Sequence, residues 1–430
     1  MSLALALAFV CFTPTQPPKT DPLNVDEARA FFQTAKRLWT ADGGKLWGTS
    51  LEGPLLFVEP RSRKVVASQA DAEGHLKAEG DVFVGTLPSN VPVANTAYKW
   101  AGITWIMIMW PFPKDARDQM VLLMHEPFHR AQAQIGFPMT GPRNSHLDQA
   151  DGRYWLRLEW KALSKALETE GEARLQAIKD ALLFRAVRRA RFSEARIEEG
   201  QLEMHEGLAN YTGIALSGMS SKEQHTYLVD LLAKAKTRPS FTRSFAYISG
   251  PVYGVLLDDV DQQWRKNLKA SDDFAELIRA RYKLADPGDS KKVAEERAVL
   301  YEGKTIWTEE EARRFAYEAK VNRYRELFVD KPVLVIPLVK MQTSFNPNNV
   351  MPVEKLGTIY EAIKIIDEWG TITVSKGALM SNDYKKLTVS ASAKRDSQPL
   401  QGEGWTLELK PGWELKPGER EGDWLLVQTK

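Results

Sequence analysis

The hydrophobic pattern of the chain changes twice, and these changes limit the folds that it can adopt. Between about residues 45 and 110, short apolar runs alternate with Gly, Pro and Asn, which is typical of strands joined by turns. From Asp115 the apolar residues recur at helical spacing in long segments. After "VDKPVLVIPL" the short runs return. We therefore predict an α+β domain over residues 21–330, with a sheet followed by helices, and a β-rich domain over residues 331–430.

Local signals set the bounds of the elements. Asn24 and Glu27 have the spacing of a capping box and predict a helix that ends near Ala41, before "DGG". Thr308 and Glu311 predict the start of the last helix in the same way. The other helices are predicted at 115–134, 151–170, 172–192, 193–217, 222–236, 243–260, 272–284 and 291–301. The strands of the first sheet are predicted in "KLWGTSL", "PLLFVEP", "RKVVASQ", "DVFVGTL" and "ITWIMIMW".

The first 20 residues have the pattern of an export signal. The apolar run "LALALAFVCF" is too short to span a bilayer but suits the core of a signal peptide, and a Pro-rich linker follows it. We predict that residues 1–20 are a signal peptide and linker, that the protein is exported to the periplasm or the outside, and that the mature chain lacks a transmembrane segment. A lipoprotein anchored through Cys11, the one cysteine, and a buried N-terminal strand are the alternatives.

The charge balance argues against nucleic acid as a partner. Lys and Arg number 58 against 56 acidic residues, and a net charge of +2 gives no long-range attraction for a polyanion. The basic run "RAVRRAR" at 185–191 has acidic residues on both sides. It is interpreted as a solvated face or as a set of partners for Glu198 and Glu199.

The stretch "VLLMHEPFHRAQ" carries the strongest chemical signal. It places His125 and His129 four residues apart with Glu126 beside the first. Residues four apart lie on one face of a helix, so both imidazoles can reach one metal ion with the carboxylate next to it. Zn²⁺ held in this way activates water for hydrolysis. The alternative is a helix whose histidines make only local hydrogen bonds.

Pro127 stands between the two histidines. Inside a helix, proline removes a backbone hydrogen bond and costs about 3 kcal/mol, so it kinks or interrupts the helix. If the helix begins near Asp115, the imidazoles converge across a kink. If it begins at Glu126, His125 lies outside it. The strong helix formers in "KDARDQMVLLM" favour the first geometry.

A third metal ligand is expected in "RIEEGQLEMHEGLANYTG". Glu199, Glu203 and Glu206 lie at i, i+4 and i+7, and therefore on one helical face. Three carboxylates on one face repel one another unless a cation offsets them, and a metal ion would do so. The alternative is an exposed acidic stripe paired with Arg196 or neighbouring bases.

The segments "HEPFH" and "MHEGLANY" together resemble the gluzincin group of zinc metallopeptidases. The resemblance implies a zincin-like catalytic domain in which Glu206 is the third zinc ligand and Tyr211 is a neighbour of the site. His205 stands where those enzymes often have Asn, and it is a lesser candidate for the ligand. The gap from His129 to Glu206 is longer than in the compact gluzincins. No G-x-M-E-N segment is present, so the resemblance does not extend to aminopeptidase specificity.

The segment "FAYISGPVYG" resembles the Y-x-K-G segment of zinc aminopeptidases, in which the tyrosine hydrogen-bonds the oxyanion. Tyr247 and Gly250 match this spacing, and Ser249 replaces the lysine. A phenol O–H directed at a developing negative charge is a suitable oxyanion donor. Tyr253 is the alternate tyrosine, and a purely structural role in packing is the other interpretation of Tyr247.

Two further segments have open interpretations. The run "WAGITWIMIMWPFP" is either a core strand or an edge strand that receives an extended peptide. His146 and Asp148 are either acceptors for a metal-bound imidazole or a loop cap for the helix that follows.

These observations predict a zinc-dependent metallopeptidase that hydrolyses peptide or protein substrates. His125, His129 and Glu206 are the predicted zinc ligands, and Glu126 and Tyr247 are the predicted catalytic residues. The alternative function is that of an inactive, peptidase-like binding protein or envelope scaffold, in which Pro127 has spoiled the geometry of the site.

Overall fold

The fold is given by a computed structural model that describes residues 22–345, 350–353, 355–391 and 398–429. The predicted signal peptide lies outside the described residues. The chain divides into two units, Met1–Ile306 and Trp307–Lys430. This division precedes the boundary predicted near residue 330, because Tyr324 and Phe328, at the end of the helical region, already pack against strands of the second unit. The α+β class, with an N-terminal mixed sheet, a helical middle and a β-rich end, is confirmed.

Helix α1 (Val25–Asp42) opens the first unit with the predicted caps. The Asn24 side chain accepts hydrogen bonds from the backbone N–H groups of Asp26 and Glu27. Gly43 ends the helix with a left-handed φ of 56°, a conformation that glycine adopts without steric cost. The caps therefore fix both ends of this helix from local sequence alone.

Six strands follow and form one mixed sheet in the order β3-β4-β2-β1-β6-β5. They are β1 (Leu55–Val58), β2 (Lys64–Ala67), β3 (Lys77–Glu79), β4 (Val82–Thr86), β5 (Thr96–Trp100) and β6 (Ile103–Met109). The strand predicted in "KLWGTSL" is wrong, because Gly44 and Gly48 turn the chain with φ of 78° and 71° and Trp47 packs against the helical core instead. Strands β3 and β5 were not predicted. The run "ITWIMIM" forms β6, which lies inside the sheet, so the edge strand is β5.

The helical middle follows the predicted elements closely. Its helices are α2 (Ala116–Ala131), α3 (Ala150–Glu168), α4 (Gly171–Arg191), α5 (Ala195–Leu202), α6 (Leu208–Ala215), α7 (Ser221–Ala235), α8 (Ala246–Asp258), α9 (Phe274–Tyr282), α10 (Lys291–Ala298) and α11 (Gly303–Arg325). The helix predicted at 193–217 is divided by a π-helical turn, Glu203–Gly207. The last helix begins at Gly303, and not at Thr308 as predicted. Among the described residues, no helix is long and apolar enough to cross a membrane.

A buried ionic network holds α4 against α5. Arg188 binds the Glu199 carboxylate with two hydrogen bonds of 2.8 and 2.9 Å, and Arg189 donates a third of 2.8 Å to it. Arg185 contacts Glu203 in the same way. Arg185, Arg188 and Arg189 are thus largely buried partners of acidic residues, as predicted for Glu199, and the solvated-face interpretation is wrong for these three. Arg191, at the end of the run, is exposed and pairs with Asp151. Burial raises the pKa of Glu199, but the adjacent guanidinium groups outweigh it and hold the net pKa well below its usual value.

We expect Arg188→Met to lower the free energy of unfolding by about 3–5 kcal/mol, because it removes the guanidinium that joins the buried carboxylates of Glu159 and Glu199 and leaves each with fewer hydrogen bonds. Urea denaturation followed by circular dichroism measures the change. The matched control is Arg196→Met, which removes an exposed pair with Glu276 and should cost less than about 1 kcal/mol. Equal losses in the two variants would contradict a special role for the buried network.

The second unit contains two sheets around one core. The seven-stranded sheet has the order β17-β18-β7-β14-β13-β10-β9, and the five-stranded sheet has the order β15-β16-β12-β11-β8. Their strands are β7 (Val333–Pro337), β8 (Gln342–Phe345), β9 (Val350–Val353), β10 (Gly357–Tyr360), β11 (Ile363–Asp367), β12 (Gly370–Val374), β13 (Ala378–Met380), β14 (Lys386–Ser390), β15 (Leu400–Gly402), β16 (Trp405–Leu409), β17 (Trp413–Pro417) and β18 (Trp424–Gln428). Ile336 from one sheet and Ile365 and Ile372 from the other belong to the same buried cluster, which indicates a sandwich.

Candidate metal centre

Helix α2 carries both histidines of the H-E-x-x-H motif on one face. The helix begins after Asp115, whose side chain caps the Arg117 N–H, and it continues through Pro127 to Ala131. Of the two geometries left open by the proline, the structure has the one in which the imidazoles converge. The Nε2 atoms of His125 and His129 lie 3.0 Å apart. Both side chains are largely shielded from solvent, since they are 7% and 13% exposed.

Glu206 completes the group from the π-helical turn. Its Oε2 atom lies 3.3 Å from Nε2 of His129 and 3.8 Å from Nε2 of His125. One ligand atom from each of these three side chains falls within 4.8 Å of the others. The other carboxylate oxygen, Oε1, accepts a 3.0 Å hydrogen bond from Arg243. Glu206 therefore presents a single oxygen to the two imidazoles.

The outer hydrogen bonds of the imidazoles fix which ring nitrogen faces the group. Nδ1 of His129 lies 2.7 Å from Oε1 of Gln132, which only accepts, so in the neutral imidazole Nδ1 carries the proton and Nε2 holds a lone pair. The Asn210 side chain hydrogen-bonds His125 and donates its amide group to the Tyr247 carbonyl at 2.6 Å. Its oxygen therefore serves the imidazole. Such outer acceptors are the usual support of metal-binding histidines.

The three facing atoms fit a metal ion by their chemistry. Two imidazole lone pairs and a carboxylate oxygen repel one another when nothing lies between them, and Oε2 of Glu206 is buried without a hydrogen-bond partner among the described residues. A cation at their centre would satisfy all three. Two imidazoles and one carboxylate are a set that Zn²⁺ takes in catalytic sites, with one position left for water.

Burial and the neighbouring charges shift the pKa values of the two histidines and of Glu206. Burial lowers the pKa of His125 to about 3, with His129 adding to the effect. For His129 burial also lowers the pKa, but Glu206 and Glu126 more than offset it and the net shift is upward. Burial raises the pKa of Glu206, yet His129 and Tyr247 outweigh it and bring it to about 2. Glu206 is therefore an anion at neutral pH, and His125 is neutral.

Glu126 lies beside the group and has a different environment. Its Oε1 atom is 4.0 Å from Nε2 of His125, and its Oε2 atom is buried without a hydrogen-bond partner among the described residues. Burial raises the pKa of the Glu126 carboxyl to about 7. A carboxyl group with a pKa near neutrality is suited to take up and release protons.

This pKa predicts how the stability of the metal-free chain depends on pH. The folded value of about 7 lies above the usual 4.5, so the contribution of Glu126 to stability is complete below pH 4.5 and is lost as the pH rises through 7. Relative to wild type, the Glu126→Gln variant should therefore gain about 3 kcal/mol of unfolding free energy between pH 4.5 and 8. Urea denaturation of both proteins in chelator tests this, since other titrating groups cancel in the difference. A constant difference across the range would show that Glu126 ionises normally.

Tyr247 lies against the predicted metal ligands. Its ring stacks on that of His125, with centroids 5.6 Å apart and planes at 8°. Burial raises its pKa, and the nearby Glu206 carboxylate raises it further, so the phenol keeps its proton at neutral pH. Its position follows from a close backbone contact, because a Cβ on Gly250 would lie 2.5 Å from Cα of Gly207. The two glycines of the sequence motifs thus allow α8 to approach the turn that carries Glu206.

The other two candidate tyrosines lie away from the predicted metal ligands, and so does Ser249, which replaces the lysine of the Y-x-K-G segment. The Tyr211 hydroxyl donates to Asp258 and the Tyr253 hydroxyl to Glu159, both in the helical core. The expectation that Tyr211 neighbours the site and the alternate role of Tyr253 are therefore not supported by their positions. Ser249 accepts a 2.9 Å hydrogen bond from Trp160 and is buried, so it also faces the core.

The remaining histidine candidates are occupied by other partners. His146 contacts Glu199 at 2.8 Å, and Asp148 accepts from the Phe241 N–H, so this pair does not support the metal ligands. His205 directs Nδ1 to the Thr140 carbonyl at 3.0 Å. Its Nε2 atom is buried without a hydrogen-bond partner among the described residues, but it is not one of the three converging ligands.

The group opens into a cavity of about 490 Å³. Its walls come from the start of β5, from α2 and from α7, and Tyr247 closes one side. This volume is in the range of small-molecule and short-peptide sites. The lining includes Thr96, Ala97, Arg117, Asp118, His125, Glu126, Asp230, Lys234, Arg238 and Tyr247.

Three functional residues were not predicted: Gln132, Asn210 and Arg243. Gln132 is three residues after His129, Asn210 is four residues after Glu206, and Arg243 is four residues before Tyr247. Helical spacing around the predicted ligands is thus the signal that would have identified Gln132 and Asn210. Arg243 lies in the turn before α8 and reaches Glu206 only through the fold, so it has no such signal.

Comparison with known proteins adds no relative. No protein-family model matches the sequence, and neither the curated proteins nor the solved structures contain a match.

Proposed function

We propose that the protein is a zinc-dependent hydrolase of peptide bonds. The observation that carries the proposal is the convergence of two imidazole lone pairs and one carboxylate oxygen beside a buried glutamate, within one cavity. His125, His129 and Glu206 would hold the ion. Zinc in such a site polarises the scissile carbonyl and lowers the pKa of water towards neutrality.

Glu126 is the proposed general base. Its carboxylate lies 4.0 Å from His125, at the side of the group that faces the cavity, where it takes a proton from the attacking water. The same carboxyl then gives the proton to the leaving amine. Its pKa, which burial raises to about 7, suits both directions of transfer at neutral pH.

Tyr247 is the proposed oxyanion donor. Hydrolysis of an amide passes through a tetrahedral species whose oxygen gains negative charge, and a neutral phenol can donate a hydrogen bond to it. The raised pKa of Tyr247 keeps the donor protonated. Because its ring stacks on His125, the donor has a fixed position beside one of the residues that would hold the ion.

Strand β5 is the proposed contact for the peptide backbone. It is the last strand of the described sheet on that side, and its first residues, Thr96 and Ala97, line the cavity. An exposed strand edge offers N–H and C=O groups with which an extended peptide can pair. The edge-strand interpretation is thus proposed for β5, whereas β6 lies inside the sheet and has the other predicted role, that of a core strand.

The first test is metal content followed by cleavage. We expect about one zinc per chain by elemental mass spectrometry of the purified protein, and cleavage of members of a peptide library by the zinc-loaded chain. Zinc without cleavage of any library member would favour the inactive binding protein or scaffold. Absence of zinc even after incubation with the metal would refute the zinc site itself.

A further inference from the structure

One wall of the cavity carries positive charge that acidic residues do not neutralise. Three cations line this wall: Arg117, Lys234 and Arg238. Arg117 is paired with Asp115 at 3.0 Å and with Asp230 at 3.4 Å. Within the described part of the chain, no carboxylate lies within 4.0 Å of the Lys234 or Arg238 charged groups.

Arg238 lies close to the reacting group. It lines the same cavity as His125 and Glu126, and it is near enough to Tyr227 and Tyr247 for their phenols to affect its pKa. Arg238 is an exposed residue whose partial desolvation lowers that pKa, but a guanidinium group remains charged at neutral pH because its ordinary value is above 12. Tyr247 in turn stacks on His125, one of the predicted metal ligands.

An unpaired guanidinium in a substrate cavity indicates an anionic ligand. Its planar set of N–H donors matches a carboxylate with two parallel hydrogen bonds. The same wall also contains the acids Asp118 and Asp230, which disfavour a ligand of higher negative charge such as a phosphate group. A single carboxylate therefore fits the balance of charge better than a dianion.

We propose that Arg238, with Lys234 beside it, binds a carboxylate of the substrate and selects peptides that carry one near the scissile bond. The inference rests on the proposed peptide hydrolysis and specifies its substrate class. Two sources supply this chemistry: the α-carboxylate at the end of a peptide, and the side chain of an internal Asp or Glu. The first would make the enzyme act at chain ends, and the second within chains.

Binding measurements separate these sources without depending on turnover. The full chain with Glu126→Gln is titrated with N-acetylated peptides of one sequence by isothermal titration calorimetry. One pair compares a C-terminal carboxylate with a C-terminal amide. The second pair, both amidated, compares an internal Glu with Gln. We expect the carboxylate member of one pair to bind about 10-fold or more tightly than its neutral partner, because hydrogen bonds to a charged group are strong.

Variants of the same chain assign the preference to the cationic wall. Arg238→Gln should reduce the carboxylate preference to less than about threefold while leaving the neutral peptide's affinity nearly unchanged. The matched control is Lys236→Gln, which removes an exposed cation two residues away that does not line the cavity. The control should retain the preference. Equal binding within both pairs, undetectable binding of all four peptides, or a preference that survives Arg238→Gln would overturn the inference.

The two proposals fail in different ways. If the zinc-loaded wild-type chain cleaves peptides but shows no carboxylate preference, hydrolysis stands and the role of Arg238 is wrong. If the carboxylate preference is present in binding and depends on Arg238, yet no peptide is cleaved, the cavity is a carboxylate-binding site and the hydrolase proposal fails.

Discussion

Replacing Glu126 with Gln should lower kcat/KM for peptide cleavage by about 10²- to 10⁴-fold, the range typical of a lost general base, while the chain keeps about one zinc. The carboxamide has nearly the shape of the carboxylate, so the ligand geometry of His125, His129 and Glu206 is preserved. It cannot accept a proton from water at neutral pH. Initial rates on a peptide found in the library screen, measured beside zinc content, report the two properties separately.

The matched control for this variant is Glu172→Gln, the same substitution at an exposed position in the first turn of α4. It should cleave at the wild-type rate. A Glu126→Gln chain that cleaves normally would exclude Glu126 as the base. A variant that loses both zinc and activity would instead assign Glu126 to the support of the metal.

His129→Ala should weaken zinc binding by more than about 100-fold, which exceeds the usual effect of losing an outer support of a ligand. The substitution removes one of three ligand atoms and the 3.0 Å imidazole pair, and leaves His125 and Glu206 unable to enclose an ion. Competition with a fluorescent chelator gives the dissociation constants of the variant and the wild type. Elemental analysis of the purified variant should give less than about 0.1 zinc per chain.

An exposed histidine provides the comparison for this substitution. The His75 side chain is exposed, where it contacts Glu73 and the ring of Trp100, and it does not belong to the converging group, so His75→Ala should keep full zinc content. Far-UV circular dichroism and a urea melt establish that both variants are folded. Full zinc in a folded His129→Ala chain would place the metal elsewhere in the protein.

The H-E-x-x-H ligands follow from the sequence because they depend on a single local rule. His125 and His129 share a face wherever the segment is helical, and the helix formers before Pro127 were strong enough to carry the helix through the proline. A distant glutamate cannot be located by spacing alone. Glu206 was predicted from its surroundings in "MHEGLANY", and the structure brings its carboxylate to the imidazoles.

The acidic stripe shows where regular spacing fails. Glu199, Glu203 and Glu206 share a face only if the helix is regular, but Glu203–Gly207 forms a π-helical turn, whose wider turn rotates Glu206 away from the other two. Glu199 and Glu203 then meet the arginines of α4, while Glu206 meets the histidines. A π turn has no clear sequence signature, so this division of roles required the fold.

Local sequence patterns also could not predict which tyrosine faces the cavity or that cations line one of its walls. Whether Tyr211, Tyr247 or Tyr253 faces the cavity depends on how α6 and α8 rotate about their axes when they pack, and the glycine contact between Gly207 and Gly250 decides this. Arg238 becomes informative only once a cavity is known beside it. In sequence it is one arginine among many.

The open edge of β5 also has a consequence for the colloidal behaviour of the protein. A free strand edge that can receive a substrate can equally pair with another copy of the chain, which is a route to aggregation. Here the edge strand is only five residues long and contains the exposed Lys99, a short length and a charge that both discourage continued strand addition. The same few residues would therefore limit strand pairing between copies of the chain while leaving room for a single peptide.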